Sequence, residues 1–325
     1  HNGMRYITRQ GTQSFTSFKR RSGRYLFVTL RNQTSPVTIH NIRLIESTYP
    51  VNAIGTFRCS DAALTKIWEI SARTLKLCME DTFTDCPLYE QTLWVGDARN
   101  EALFAYPVFG AVDIGKRCAE LAAQSLERYS IVGCQVPSGW DVLLPAWSFL
   151  WSISIWDAYA YTGDHSFVQR MWPAMMRNLE GAAELRDEAS GLFRGPFWNM
   201  FDWSGIDDDH EIVLHNSMLM VGAIDAAQKC AALLEDEPSS AWLQELRQEL
   251  TESLNALWNP NIGAYPDSIH EDGMLSPSTS QHTSFLALLY DIIPDDYRAD
   301  ALDNVLSPPA EIDRKSTRLN SSHYS

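Results

Sequence analysis

The hydrophobic pattern changes period once along this chain. In 23-GRYLFVTLRN-32 and 36-PVTIHNIRLIES-47, β-branched and aromatic residues recur at every second position, the spacing of a half-buried strand. Polar turn residues in 31-RNQTSP-36 separate the two runs. Residues 1–50 therefore read as strands, the end of a β-sandwich. From Ser60 onward the period is helical. In 60-SDAALTKIWEISARTLKLCM-79 an apolar stripe at i, i+3, i+4 follows Ser60 or Asp61 as N-cap. The same periodicity predicts helices near 97–109, 113–128, 147–162, 166–186, 214–234, 239–257, 280–292 and 296–305.

Loop lengths organise these helices. Long segments rich in Gly, Pro, Trp and Asp lie at 130–146, 188–212 and 258–279, and short connectors lie between the remaining helices. Helices thus come in pairs with the long loops gathered at one end, as in an (α/α)6 toroid, or six-hairpin barrel. About nine helices are legible where six hairpins need twelve, so the barrel is expected to be incomplete. The domain reading is 1–52 for the end of the β-sandwich, 53–312 for the truncated barrel and 313–325 for a tail.

Composition narrows the partner. The chain has 325 residues, 45% hydrophobic and 21% charged, with 26 basic and 41 acidic side chains, a globular composition. A formal charge of −15 disfavours nucleic acid and anionic membranes and suits a neutral ligand such as a carbohydrate. Eleven tryptophans fit sugar stacking, although most of them are expected in the core. The most apolar run, 143-LLPAWSFLWSISIW-156, falls short of the roughly 18–20 residues of a membrane span. Six scattered cysteines (Cys59, Cys78, Cys86, Cys118, Cys134 and Cys230) lack metal or disulfide spacing and read as mainly buried thiols. His210, His215, His270 and His282 show no ligand spacing either, so each is expected to be a loop or cap residue, with no metal and no cofactor. The chain begins at His1 and reads as starting within a longer protein, so a missing signal peptide says nothing about export. Oligomeric state is equally open.

The final stretch departs from everything before it. The run 313-DRKSTRLNSSH-323 is the translation of a common sequencing adapter, and native sequence is expected to end near Ile312. Without Asp313, Arg314, Lys315 and Arg318 the remainder holds 23 basic and 40 acidic residues.

The chemistry concentrates in 84-TDCPLYEQTLWVGDARNEALFAY-106. Pro87 and Gly96 make 84–96 a loop leading into a helix at Asp97. Asp97 is then a good N-cap and Asp85 a turn former, so both have structural roles open to them. Glu90 stands beside Tyr89 and near Trp94, and such surroundings keep a carboxyl protonated as a general acid. Glycoside hydrolysis needs such an acid and a second carboxylate, roughly 6.5–9.5 Å away in an inverting enzyme. Trp140, Asp141, Trp198, Asp202, Trp203, Asp207, Asp208 and Asp209 lie in the long loops as candidate pocket residues, with 207-DDD-209 more in keeping with a solvated run. No GxGxxG, Walker A or GxSxG motif is present, which leaves hydride, phosphoryl and nucleophile-elbow chemistry without support.

The run 85-DCPLYEQTLWVGDAR-99 resembles the signature of the bacterial and fungal α-L-rhamnosidases of glycoside hydrolase family 78, whose commoner form is D-C-P-Q-R-D-E-R-L-G-W-T-G-D. Upstream, 56-TFRCSDAALTKIWEIS-71 is similar to the start of that family's six-hairpin barrel, which follows a β-sandwich. The resemblance implies Glu90 as general acid, Asp85 and Asp97 on the rhamnose hydroxyls, and Trp94 as a pocket aromatic. Asp202 and Trp203 in 201-FDWSG-205 resemble the family's Asp-Trp pair, which implies Trp203 against the sugar's apolar face, and Trp140 and Asp141 in 138-SGWD-141 are placed as pocket residues by position only. A rhamnose-containing oligosaccharide or glycoside is the implied partner. Two departures stand out: the interval from Asp85 to Glu90 is one residue shorter and lacks the usual Arg, and no motif before Ile312 matches the family's late-loop base Glu. Residues 1–325 alone are therefore expected to carry an acid without a base. A six-hairpin glycosidase for another sugar and a non-catalytic sugar-binding relative remain as alternatives.

Overall fold

A computed structural model describes residues 3–307 of the chain. Nine α-helices fill it from Ala62 to Leu306: α1 (Ala62–Leu77), α2 (Val95–Phe109), α3 (Val112–Ala123), α4 (Pro145–Thr162), α5 (His165–Glu184), α6 (Leu214–Leu234), α7 (Glu237–Asn255), α8 (Gln281–Leu289) and α9 (Asp295–Leu306). All nine fall where the periodicity puts them, to within a few residues at each end. Local chemistry explains the starts and stops. Asp61 accepts the amides of Ala63 and Leu64, and Pro145 opens α4, where its missing N–H costs nothing. Gly110 and Gly163 end α2 and α4 in the left-handed region that a Cβ disfavours.

Burial separates two kinds of helix. α4 and α6 are apolar nearly all round; in α6 every residue from Leu214 to Ile224 is buried, as a helix packed on all sides must be. By contrast α3, α5 and α7 carry one apolar stripe, like Leu243, Leu246, Leu250 and Leu254 of α7. The contacts follow from this division. α2 packs on α4, α4 on α6 and α6 on α8, while α2 with α3, α4 with α5, α6 with α7 and α8 with α9 form hairpins. This is an inner ring of α2, α4, α6 and α8 clad by outer helices, the α/α toroid arrangement.

The inner helices share a direction. Short connectors at 110–111, 163–164 and 235–236 follow them, and the long loops 78–94, 128–144, 185–211 and 256–280 precede α2, α4, α6 and α8. Four helix N-termini therefore converge on the loop end, where their partial positive charge favours carboxylates. The α6 and α8 loops are stitched by the only paired strands among the described residues, β1 (Ile212–Val213) and β2 (Ser268–Ile269), antiparallel with Ile212 opposite Ile269 and Val213 opposite Ser268.

Two expectations change. Segments 23–32 and 36–47 run without strand pairing, and neither builds a buried face: Tyr25, Leu26 and Phe27 are 80%, 67% and 90% exposed. Alternation becomes a sheet only when a neighbouring backbone takes up the N–H and C=O groups, and here no described strand does so. The chain that follows lies along the first helices, with the Tyr49 amide on the Met79 carbonyl and the Ile54 amide on the Val108 carbonyl, both at 2.8 Å. The second change concerns membrane length. α6, with a mean hydropathy of 1.3, is long and apolar enough to span a bilayer, but it serves as the core helix, with 67% of its 18-residue window buried inside the protein. Tail residues 308–325 lie outside the described part.

Candidate active site

The acidic strip folds as a loop ending at α2. Asp85 anchors it from both sides: its amide donates to the Thr92 carbonyl at 3.1 Å and its carboxylate accepts the Thr92 amide at 3.3 Å. The Cys86 thiol donates to Glu90 Oε2 at 2.9 Å. Leu93 and Val95 then bond to loop 128–144 through the Val136 amide and Cys134 carbonyl, so the strip is held against its neighbour.

Asp97 is not the N-cap. Trp94 takes that position without a side-chain bond, and Asp97 sits in the first turn. Its Oδ2 accepts the indole N–H of Trp147, in the first turn of α4, at 2.8 Å. The contact is possible because Gly96 has no side chain: a Cβ there would lie 2.6 Å from the Trp147 ring. One glycine thus lets an indole lie over the N-terminus of α2 and hold an acid of the strip.

These acids feel one another. Burial chiefly pushes Asp85 up to about 6, with the Glu90 charge adding to it. Burial also raises Asp97, against the Trp147 bond that lowers it. Glu101, one helical turn beyond Asp97, is pushed to about 9 by burial and then by the charges of Asp97 and Asp85. Its Oε2 is buried without a hydrogen-bond partner, a state suited to a neutral acid. Sequence reasoning did not single out Glu101; its i, i+4 relation to Asp97 is the available signal.

Aromatic residues wall the strip. Trp94 meets Trp140 and Trp198 edge-on at 6.1 Å, Trp140 meets Trp198 at 6.5 Å, and Trp198 meets Trp203 at 6.2 Å. Three loops therefore contribute to one tryptophan surface, in the edge-to-face geometry that aromatic quadrupoles favour. Trp140 and Trp203 remain 56% and 57% exposed, so their rings are open to a ligand. Asp202 faces inward, accepting from the Trp203 amide at 2.8 Å and meeting Nε2 of the buried His282 at 3.3 Å. Asp141 stands apart from the other acids: its exposed carboxylate is held by Arg128 at 2.9 Å and by the Tyr129 hydroxyl.

The histidines depart from the loop-and-cap expectation. His215 and His282 are core residues of α6 and α8, each 1% exposed, and burial pushes His215 down to about 3. His210 and His270 do lie in loops, but they stack ring on ring at 3.9 Å and share Asp207. The acidic run 207–209 is likewise only partly solvated. Asp209 is exposed, whereas Asp207 bonds Ser268, His270 and Ser276, and burial pushes Asp208 up to about 6. Sequence spacing missed this cluster because β2 lies some sixty residues after Asp207. All six cysteines are free thiols; Cys59 is exposed, Cys86 half-buried and the other four buried.

A toroid of helical hairpins with an acidic, tryptophan-walled loop end is the architecture of six-hairpin glycosidases. The sequence model of the bacterial α-L-rhamnosidase six-hairpin glycosidase domain matches residues 52–320, and the chain belongs to that family. The match extends beyond Ile312 into the stretch read above as adapter. Among solved structures, the family 78 rhamnosidase of Bacillus sp. GL1 is 39% identical with a TM-score of 0.80, over 82% of this chain and 28% of that one. A Klebsiella oxytoca rhamnosidase with rhamnose bound is 23% identical, TM-score 0.68, over 80% of this chain and 50% of that one. A Dictyoglomus thermophilum α-L-rhamnosidase is 21% identical, TM-score 0.68, over 79% and 28%. The chain thus spans about a quarter to a half of the length of these relatives. Compared with the sequences of curated proteins, it matches none.

Proposed function

We propose that this chain carries the acid half of an inverting α-L-rhamnosidase site, which releases terminal α-L-rhamnose by general acid/base catalysis. The observation that carries this reading is the strip itself: Asp85, Glu90 and Asp97 gathered at the N-terminus of α2 beside an exposed tryptophan wall, in a chain 39% identical to a rhamnosidase. Glu90 protonates the leaving glycosidic oxygen. The Cys86 thiol orients its Oε2. Asp85 stands beside Glu90 and is raised by burial and by the Glu90 charge. Asp85 and Asp97 accept sugar hydroxyls, and Trp94, Trp140 and Trp203 face the apolar side of the ring. Asp202, facing inward beside Trp203, accepts a further hydroxyl, and Asp141 stands at the rim. The base role falls to a Glu on a late barrel loop in the family pattern, and no residue of this chain is placed in it.

Two measurements test the proposal. Titration of the chain with L-rhamnose should quench tryptophan fluorescence saturably, and Asp97→Asn should remove the quench. In the product of the complete gene, hydrolysis of an aryl α-L-rhamnoside should release the β-anomer first, as followed by proton NMR. Release of the α-anomer, or no rhamnose binding at all, contradicts the reading.

A further inference from the structure

The Phe201–Trp203 stretch of loop 185–211 is held from behind by the first turns of α6 and α8. The half-buried ring of Phe201 stands 5.3 Å from His215, 5.7 Å from His282 and 6.5 Å from Phe285, a wedge between the two helices. Asp202 follows, with Oδ1 on the Trp203 amide at 2.8 Å and Oδ2 at 3.3 Å from His282 Nε2. A carboxylate only accepts, so the imidazole nitrogen that faces it carries the hydrogen. Trp203 then turns outward to meet Trp198. We infer that His282 is a positioning residue, which aims Asp202, and with it the Trp203 arm of the wall, at the sugar. This inference rests on the reading of Asp202 as a residue that binds rhamnose.

The two partners differ in their freedom to move. The His282 side chain is 1% exposed and that of Asp202 33%, so a donor rooted in the core holds an acceptor at the surface of the site. His282 is the second residue of α8, and its ring is packed against Phe201 and, at 5.2 Å, Phe285. Its Nε2 is therefore fixed by helix and packing together. The loop is tied to the start of α8 a second time. Buried Asp267 accepts the amide of Ser280, the N-cap of α8, at 2.8 Å and the Asp207 amide at 3.3 Å. Both ends of the span 202–207 thus hang on one helix terminus. A carboxylate ordered before the sugar arrives loses less freedom on binding it, and a small misplacement of such a group is costly.

Rhamnose affinity of the chain, followed by tryptophan fluorescence, tests this with two substitutions that separate donor from volume. His282→Phe keeps a ring beside Phe201 and Phe285 and removes the donor. His282→Gln gives up the ring and keeps an N–H donor. Positioning predicts a Kd about tenfold weaker in His282→Phe and within about threefold of wild type in His282→Gln, as a hydrogen bond to a charged group implies. In an Asp202→Ala background, His282→Phe should change Kd by less than about twofold. The reverse order, with the Phe variant binding as wild type and the Gln variant weakened, overturns the inference. So does a tenfold loss that persists without Asp202. Wild-type chain that binds no rhamnose overturns the reading of the whole site, and this inference with it. Should His282→Phe fail to fold, proton NMR of the wild type decides in its place. The His282 Nε2–H signal, assigned by its absence from His282→Gln, should shift when rhamnose binds and again in Asp202→Asn. A signal that neither moves overturns the inference.

Discussion

The loop end of this barrel holds two acid clusters built on opposite terms. At the N-terminus of α2, the observed side-chain bonds to Asp97 and Glu90 come from an indole and a thiol, and a backbone amide holds Asp85. All three donors are neutral, and Asp85, Asp97 and Glu101 are raised above the ordinary carboxylate range by burial first, then by the Glu90 charge on the two aspartates and by those aspartates on Glu101. In the β2 region burial raises Asp207, but bonds from Ser276 and then His270 hold it below its ordinary value, and the His210 bond does the same for the exposed Glu271. At α2 burial outweighs the hydrogen bonds and keeps the proton affinity of Asp85 and Asp97 high; at β2 the hydrogen bonds outweigh burial and take the proton away. Only the first arrangement suits a general acid.

The comparison can be broken at its strongest point by Glu90→Gln in the complete enzyme. Loss of a general acid should slow hydrolysis of rhamnosides with poor leaving groups about 10³-fold and leave KM little changed. Gly96→Ala comes next. The new Cβ meets the Trp147 ring and forces the indole off Asp97, which should cost about 1–3 kcal/mol of stability in a urea titration and lower rhamnose affinity as well. Trp147→Phe removes only the donor to Asp97, and a loss of about 1 kcal/mol should appear as a several-fold weaker rhamnose Kd by calorimetry.

Glu101→Gln sharpens the contrast through pH. The folded protein holds the Glu101 proton up to about 9, against 4.5 for the ordinary side chain, so between these values the native state binds more protons than the unfolded one. This residue therefore makes stability fall as pH rises through that window. The Gln variant should gain in urea midpoint relative to wild type at pH 8 and gain little at pH 5. The smallest effect belongs to Asp141→Asn. Its carboxylate is bound to Arg128 and Tyr129 at the surface, and kcat/KM should change by less than about twofold, because exposed ion pairs contribute little.

The helices were legible because their signals are local. Period, caps and Gly stops lie within each segment, so α6 is placed from residue 214 to 234 by pattern alone. The strip was legible for the same reason, since Asp85, Glu90, Trp94 and Asp97 fall within thirteen residues. What escaped depends on distant partners. Trp147 holds Asp97 from fifty residues away, and His270 reaches Asp207 across sixty-three. Segments 23–32 and 36–47 carry a strand-like local alternation, yet pairing is a property of two segments and cannot be read from one. Asp97 as N-cap failed by three residues because Trp94 begins the helix with no capping side chain at all.

The central claim is that Glu90 of the α2 strip donates the proton to the glycosidic oxygen. It is tested most directly by comparing Glu90→Gln with wild type on two α-L-rhamnosides, one with an activated nitrophenolate leaving group and one with a sugar or alkyl leaving group. The account predicts a loss of about 10³-fold on the poor leaving group and less than about tenfold on the activated one, which needs no proton. Equal losses on both substrates, or wild-type turnover on either pair, would contradict it.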